Sequence, residues 1–184
     1  MPVYVLRHER RSSDASYNSG LTATGLSYSI QLADRLEKLN ITKIYCSPFI
    51  RAIQTVHPYA TKFNIPIQVD YALIEFIYYS QRTPPRPSYL SHPFKIQMTD
   101  DERSYWNISP NYISSHSFGE ILNETEENLN NRISKFVSYL RQANPEPENG
   151  NILIVSHQTP IKCLMKTVNN STRMLNMGEI DKLW

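Results

Sequence analysis

Five side chains that can act on phosphate follow the predicted buried strands of this chain. Arg7 and His8 follow the first apolar run, His157 follows a run near the C-terminus, Arg51 follows a third, and Glu75 follows a fourth. A guanidinium binds phosphate oxygens with several coplanar donors. A histidine can act as nucleophile or donor near neutral pH, and a nearby carboxylic acid can protonate a leaving oxygen. Phosphoryl transfer through a phosphohistidine requires this set of groups.

The elements that must position these side chains alternate along the chain. Short apolar runs predict strands, and segments with helical spacing or helix-capping residues predict helices between them. The predicted strands cover residues 2–6, 42–47, 65–70 and 151–156, and the predicted helices cover 21–40, 48–63, 124–143 and 158–168. This alternation is typical of an α/β domain, a three-layer α/β/α sandwich with a mainly parallel sheet. Ligands bind beyond the carboxyl ends of such strands, so the five side chains are predicted to meet at one edge.

The pattern also makes finer predictions about two helices. In the first helix, Thr22 or Thr24 is suited to cap the start. Proline is tolerated in a first turn but not further along, so the second helix should begin at Pro48 and end or kink at Pro58. The buried face of the first helix is predicted to carry Leu26, Ile30, Ala33, Leu36 and Leu39.

Residues 80–119 are rich in proline, serine and aromatic side chains and show no clear period. The stretch is too long for an ordinary loop, which indicates an excursion that covers another part of the domain. Its aromatic residues could form a lid over the site, fill the excursion by packing, or present a surface to a protein partner. No internal repeat or domain boundary is visible, so residues 1–184 are predicted to form one domain.

Composition excludes several functional classes. The chain has 184 residues, a net charge of +2 and no dominant basic stripe, which gives no strong signal for nucleic-acid binding. The two cysteines predict free thiols, and no signal peptide or membrane span is visible, so we expect an intracellular protein of the cytoplasm or nucleus. His57, His92 and His116 lack the spacing of metal ligands. Neither a metal nor a cofactor is therefore expected.

Five sequence blocks together resemble the histidine phosphatase superfamily, which has the phosphoglycerate-mutase-like fold. They are RHER, LTATG, SPFIRAIQT, the glutamate at position 75 and SHQ, in the order that the family has them and over nearly the whole chain. The segments YCSPFIRAIQTVHPYA and ETEENLNNRI look closest to one branch. That branch holds the suppressor of T-cell receptor signalling phosphatases and the histidine-phosphatase-like subunit of RNA polymerase III transcription factor C. The tail NNSTRMLNMGEIDKL is similar to the latter subunit.

The resemblance implies a role for each side chain. His8 would be the residue that is phosphorylated, Glu75 the proton donor, and His157 a group that binds the phosphoryl group and stabilises the transition state. Further phosphate ligands would be Arg7, Arg51 and Arg11, with Arg10 as the alternative to Arg11. The chain departs from the family pattern at Glu9 and Gln158, since glycine commonly follows each of the two histidines. Glycine lets the backbone approach a phosphate closely, and a carboxylate in its place could repel a dianion.

Two functions from different classes remain open at this point. The first is a phosphatase that hydrolyses phosphomonoesters, with a phosphorylated small molecule or a phosphopeptide as substrate. The second is a weakly active or inactive interaction module, such as a subunit of transcription factor C, which Glu9 and the tail favour. The intact set of histidines and arginines favours the enzyme.

Overall fold

The computed structural model of the protein describes residues 1–13, 19–76, 98–116, 124–145 and 150–184. Five strands and five helices alternate over much of this length, and a single 3-10 turn covers Tyr71–Leu73. The strands are β1 (Val3–Arg7), β2 (Ile41–Cys46), β3 (Ile67–Val69), β4 (Asn151–Ser156) and β5 (Ile180–Lys182). The helices are α1 (Ala23–Glu37), α2 (Ile50–Lys62), α3 (Asp100–Tyr105), α4 (Glu126–Ala143) and α5 (Gln158–Asn169).

The strands form one sheet in the order β3-β2-β4-β1-β5. The pairs β3–β2, β2–β4 and β4–β1 are parallel, and β5 adds an antiparallel edge beside β1. The predicted α/β class with a mainly parallel sheet is therefore confirmed. Because β4 lies between β1 and β2, the carboxyl ends of these three strands are neighbours.

Helices cover both faces of the sheet. Along β1, Val5 packs with α4 and α5 on one face, while Leu6 packs with α1 and α2 on the other. The two cores are centred on fully buried side chains such as Phe136 and Ile53. This alternation of side chains across a pleated strand produces the three predicted layers.

The predicted buried face of α1 is wrong at two positions. Leu26 and Ile30 are 42% and 64% exposed. The helix instead turns Gly25 and Ser29 inward, in line with the correctly predicted Ala33 and Leu36. Gly25 lies so close to the loop after β1 that an ideal Cβ atom would be 2.3 Å from the Arg10 carbonyl oxygen. A small residue is required at this contact, and it decides which face is buried.

The ends of α1 and α2 test the capping predictions. Thr22 caps α1, where its side-chain oxygen accepts from the Gly25 N–H at 3.0 Å, and Thr24 lies inside the helix. The second helix begins at Ile50 rather than Pro48 and continues through Pro58 to Lys62. The predicted end at Pro58 is therefore wrong, and the predicted kink stays a prediction. Buried residues around the proline, such as Val56 and Tyr59, offset the one hydrogen bond that proline cannot donate.

Most of the predicted excursion at 80–119 lies outside the described residues. Its described part includes α3 and a following segment bound to the end of β3. There, Tyr112 donates a hydrogen bond to Asp70 at 2.5 Å, and Ser114 and Ser115 also donate to this carboxylate. Among the described helices, none has the length and apolar character that a membrane crossing requires.

Candidate active site

Backbone pairing fixes the two histidines at the carboxyl edge of the sheet. Arg7 is paired with Ser156, and the ladder continues because the His8 N–H donates to the Ser156 carbonyl at 3.0 Å. On the other side of β4, the Ser47 N–H donates to the Val155 carbonyl at 2.9 Å. The rings of His8 and His157 meet edge to face, with centroids 5.0 Å apart. The sheet thus brings together the histidines that the sequence places at two separate strand ends.

His8 is held as a neutral imidazole with a defined tautomer. Its Nδ1 lies 2.6 Å from the carbonyl oxygen of Glu9, and a carbonyl only accepts, so we assign the proton to Nδ1. Burial lowers the pKa of His8 to about 3, and the charges of Arg51, Arg7 and Arg11 act in the same direction, against the hydrogen bond to Glu9. The lone pair of Nε2 is therefore available as a nucleophile.

His157 lies beside His8 and has one ring nitrogen without a hydrogen-bond partner among the described residues. The ring is fully buried, and its Nε2 lies 2.8 Å from the Ser47 hydroxyl. That hydroxyl accepts from the Phe49 N–H at 3.3 Å and has its own proton to donate to Nε2, so we assign the ring proton to Nδ1. Burial and then the charge of Arg51 lower the pKa of His157. Within the described structure, Nδ1 is buried and has no hydrogen-bond partner.

Arg51 and Arg7 approach the histidines from α2 and β1. Arg51 lies in the first turn of α2, is 3% exposed, and stacks on the Phe49 ring at 4.5 Å. Arg7 donates from Nη1 to the Leu175 carbonyl at 2.8 Å, while its Nε has no partner among the described residues. Burial lowers the pKa of Arg7, and the charge of Glu75 opposes this shift.

Arg11 and Arg10 lie in different surroundings. Arg11 lies close enough for its charge to lower the pKa of both His8 and His157. Arg10 is exposed and stacks over the Tyr28 ring of α1 at 6.0 Å. Of these two arginines, Arg11 is the one whose charge acts on the two histidines.

The LTATG block shapes the loop that carries these arginines. The Arg10 carbonyl accepts from the Thr22 N–H at 2.9 Å and contacts Gly25, and Arg11 forms an isolated antiparallel bridge with Leu21. The Glu9 N–H donates to the Thr55 hydroxyl at 2.9 Å, which ties the same loop to α2. The start of α1 thus fixes the backbone that presents Arg11.

Glu75 follows the 3-10 turn and is half-buried. It accepts from the Phe76 N–H at 2.9 Å, and it also has a hydrogen bond with Thr159 at the start of α5. Burial raises the pKa of Glu75, although these hydrogen bonds and the charge of Arg51 oppose the shift. The shift is toward the protonated form, which an acid catalyst requires.

A buried ion pair supports the turn before Glu75. Arg132 of α4 donates to the carbonyls of Ala72 at 2.5 Å and Ile74 at 3.1 Å, and it pairs with Glu124 through Nε at 2.9 Å. Sequence reasoning missed Ser47, Thr159 and Arg132. Ser47 stands inside the quoted SPFIRAIQT block, but no sequence signal singles out Arg132, which reads as a residue of a polar helix face.

The model of the histidine phosphatase superfamily (branch 1) matches residues 3–174 of the chain. No curated protein is significantly similar to it in sequence. Several solved structures share the fold over almost the whole chain. The ecdysone phosphate phosphatase of Bombix mori, in complex with tungstate, has a TM-score of 0.71 at 14% identity, with 98% of this chain and 88% of that chain covered.

Two bacterial structures are similarly close. The alpha-ribazole phosphatase of Shigella flexneri has a TM-score of 0.67 at 19% identity, with 99% of this chain and 89% of that chain covered. The phosphoglycerate mutase of Bacillus anthracis has a TM-score of 0.68 at 17% identity, with 99% and 86% covered. At these identities the likeness establishes the fold, and the match of the family model extends to all but the last strand. The chain belongs to the histidine phosphatase superfamily (branch 1).

Proposed function

We propose that the protein is a phosphatase that hydrolyses phosphomonoesters through a phosphohistidine on His8. The observation that carries this proposal is the state of His8. Its Nδ1 proton is bound by the Glu9 carbonyl, and its Nε2 lone pair lies in a buried, positively charged site beside His157. A neutral, oriented imidazole among arginines is the form in which histidine attacks phosphorus.

The first half-reaction transfers the phosphoryl group to the enzyme. The lone pair of His8 Nε2 attacks phosphorus while the bond from phosphorus to the leaving oxygen breaks. Glu75 donates its proton to that oxygen, so the leaving group departs as an alcohol. Arg7, Arg51 and Arg11 balance the charge on the equatorial oxygens, and the unpartnered Nδ1–H of His157 donates to one of them.

The second half-reaction returns the enzyme to its starting state. Water attacks the phosphorus of the phosphohistidine, and the Glu75 carboxylate accepts the proton that the water loses. The bond from phosphorus to Nε2 then breaks, which releases inorganic phosphate and restores neutral His8. No step requires a metal or a further cofactor.

The proposal extends to the branch of the superfamily, the substrate class and the domain organisation. The YCSPFIRAIQTVHPYA and ETEENLNNRI blocks support the branch that holds the suppressor of T-cell receptor signalling phosphatases and the transcription factor C subunit. A phosphorylated small molecule or a phosphopeptide is the substrate class that the proposed chemistry requires, and residues 1–184 act as one domain.

The rival function is an interaction module with a protein partner at 80–119, and Glu9 is the observation that favours it.

Turnover of p-nitrophenyl phosphate between pH 5 and 8 tests the proposal, with His8→Ala as the informative variant. His57→Ala is the matched control, because His57 lies on α2 outside the site and stacks on Tyr105. We expect the wild type and His57→Ala to turn over the substrate and His8→Ala to be inactive. An alkaline quench should trap phosphate on the wild type but not on His8→Ala. A wild type that is inactive at every pH would favour the interaction module.

A further inference from the structure

The carboxylate of Glu9 packs against the C-terminal part of the chain. The residue is 5% exposed, and its carboxylate lies against Gly178, where an ideal Cβ atom would be 1.8 Å from Oε1. Burial raises the pKa of Glu9, while the Arg10 N–H and the charges of Arg10 and Arg35 lower it. The cations that act on Glu9 thus differ from Arg7, Arg51 and Arg11, which act on the two histidines.

The segment against which Glu9 packs is the C-terminal strap, defined here as residues 175–182. It lies along β1, where the Gly178 N–H donates to the Arg7 carbonyl at 3.0 Å and the Arg7 N–H donates to the Glu179 carbonyl at 3.2 Å. The Leu175 carbonyl accepts from Arg7 Nη1, and the Gly178 carbonyl accepts from Arg35 Nη1 at 3.3 Å. The match to the family model ends at residue 174, so the strap lies beyond it.

We propose that the C-terminal strap is a positioning element of the phosphate site, which orients Arg7 and sequesters the Glu9 carboxylate outside it. The inference rests on the proposed function, because it assigns the strap a role in binding the phosphoryl group. It accounts for a site that tolerates glutamate directly after its nucleophile. The strap keeps that negative charge beside Arg35, and the Glu9 backbone carbonyl still orients His8.

Gly178 is the residue on which this arrangement depends. Its φ of +69° lies in the left-handed region, where glycine is favoured over residues with a side chain. A side chain at 178 would also occupy the position of the Glu9 carboxylate. Gly178→Ala should therefore displace that carboxylate and disturb the backbone carbonyl that binds His8 Nδ1.

Titration calorimetry with tungstate, the oxyanion held by the Bombix mori structure, measures the effect. We expect Gly178→Ala to bind tungstate at least about tenfold more weakly than the wild type, which corresponds to about 1.4 kcal/mol. The double variant Glu9→Ala/Gly178→Ala should recover the part of this loss that the collision causes, because the shorter side chain at position 9 leaves room, whereas the strain at φ +69° remains. Met177→Ala is the control, since Met177 is an exposed residue of the same strap. With p-nitrophenyl phosphate, KM should rise more than kcat falls in Gly178→Ala.

Glu9→Gln tests the sequestration without straining the backbone, and it decides the question if Gly178→Ala does not fold. A sequestered carboxylate does not oppose the anion, so Glu9→Gln should bind tungstate no more tightly than the wild type. Binding that is tenfold tighter would overturn the inference, and so would a double variant that recovers nothing. A wild type that binds no tungstate would reject the proposed function itself. Tight binding by both the wild type and Gly178→Ala would reject only the role of the strap.

Discussion

Ser47→Ala removes the hydrogen bond that orients the second histidine, together with the oxygen that accepts from the Phe49 N–H. The substitution removes the hydroxyl that lies 2.8 Å from His157 Nε2 and leaves the backbone N–H of Ser47 in its bond to Val155. Both Ser47 and His157 are fully buried, so bulk water does not replace the lost partner. The ring then has no hydrogen bond that selects the tautomer with its proton on Nδ1.

The magnitude follows from burial and from the number of lost contacts. A buried polar atom that loses its partner costs about 1–3 kcal/mol. If this cost of about 2 kcal/mol falls on the transition state, kcat/KM decreases about 30-fold. The loss should appear mainly in kcat, because the donor that His157 presents to the phosphoryl oxygens is the feature that is disturbed.

Steady-state kinetics with p-nitrophenyl phosphate measure this effect, with Ser29→Ala as the matched control. Ser29 is also buried, at 2% exposure, and its hydroxyl donates to the Leu26 carbonyl within α1 at 2.7 Å. Both variants should lose stability to urea, but only Ser47→Ala should lose activity. Unchanged kcat/KM in Ser47→Ala would refute the assigned orientation of His157. An equal loss in both variants would show that the effect is one of general stability.

Three further outcomes are expected. Glu75→Gln should slow the hydrolysis of an alkyl phosphate about 10²- to 10⁴-fold and that of p-nitrophenyl phosphate far less. Nitrophenolate is the better leaving group and needs little protonation. Initial rates on both substrates measure the difference. Gly25→Ala should lower the free energy of unfolding by about 1–3 kcal/mol in urea and raise KM, since its Cβ would displace the Arg10 carbonyl. Stability should fall by about 2 kcal/mol from pH 7 to 5 on account of His8. The unfolded chain takes up a proton on this imidazole below pH 6.5, whereas the folded chain does so only near pH 3. The raised pKa of Glu75 contributes to stability in the opposite direction. Urea denaturation of the wild type and of His8→Asn at both pH values isolates the contribution of His8.

The sheet edge was predictable because its signals are local. Each apolar run that ends in a charged or polar residue marks both a buried strand and the side chain beyond it, as at Arg7–His8 and at His157. Parallel pairing then brings these strand ends, and the side chains beyond them, to one edge of the sheet. The face of α1 was not predictable by counting apolar residues, because the contact of Gly25 with the Arg10 carbonyl overrides the periodicity that favoured Leu26.

Contacts between distant parts of the chain account for what the sequence did not reveal. Arg132 stands in a helix with many polar residues, and its partners are a carboxylate eight positions earlier and carbonyls about sixty positions away. The position of the Glu9 carboxylate depends on the C-terminal strap, for which the sequence predicts no helix or strand. That strap forms β5, and without its antiparallel pairing to β1 no rule of local sequence separates a repelling carboxylate from a sequestered one.

The balance of charge at the site favours an enzyme over a decayed scaffold. Arg7, Arg51 and Arg11 surround two neutral histidines, and their charges make protonation of both rings less favourable. Of the two nearby carboxylates, Glu9 lies against the C-terminal strap, and the charge of Glu75 acts on Arg7 against three guanidinium groups. A buried ionic group such as Arg51 is often no more stabilising than an apolar residue of similar volume. A chain that served only as a scaffold would therefore gain nothing in stability from keeping them, whereas a phosphoryl dianion supplies the charge that the site lacks.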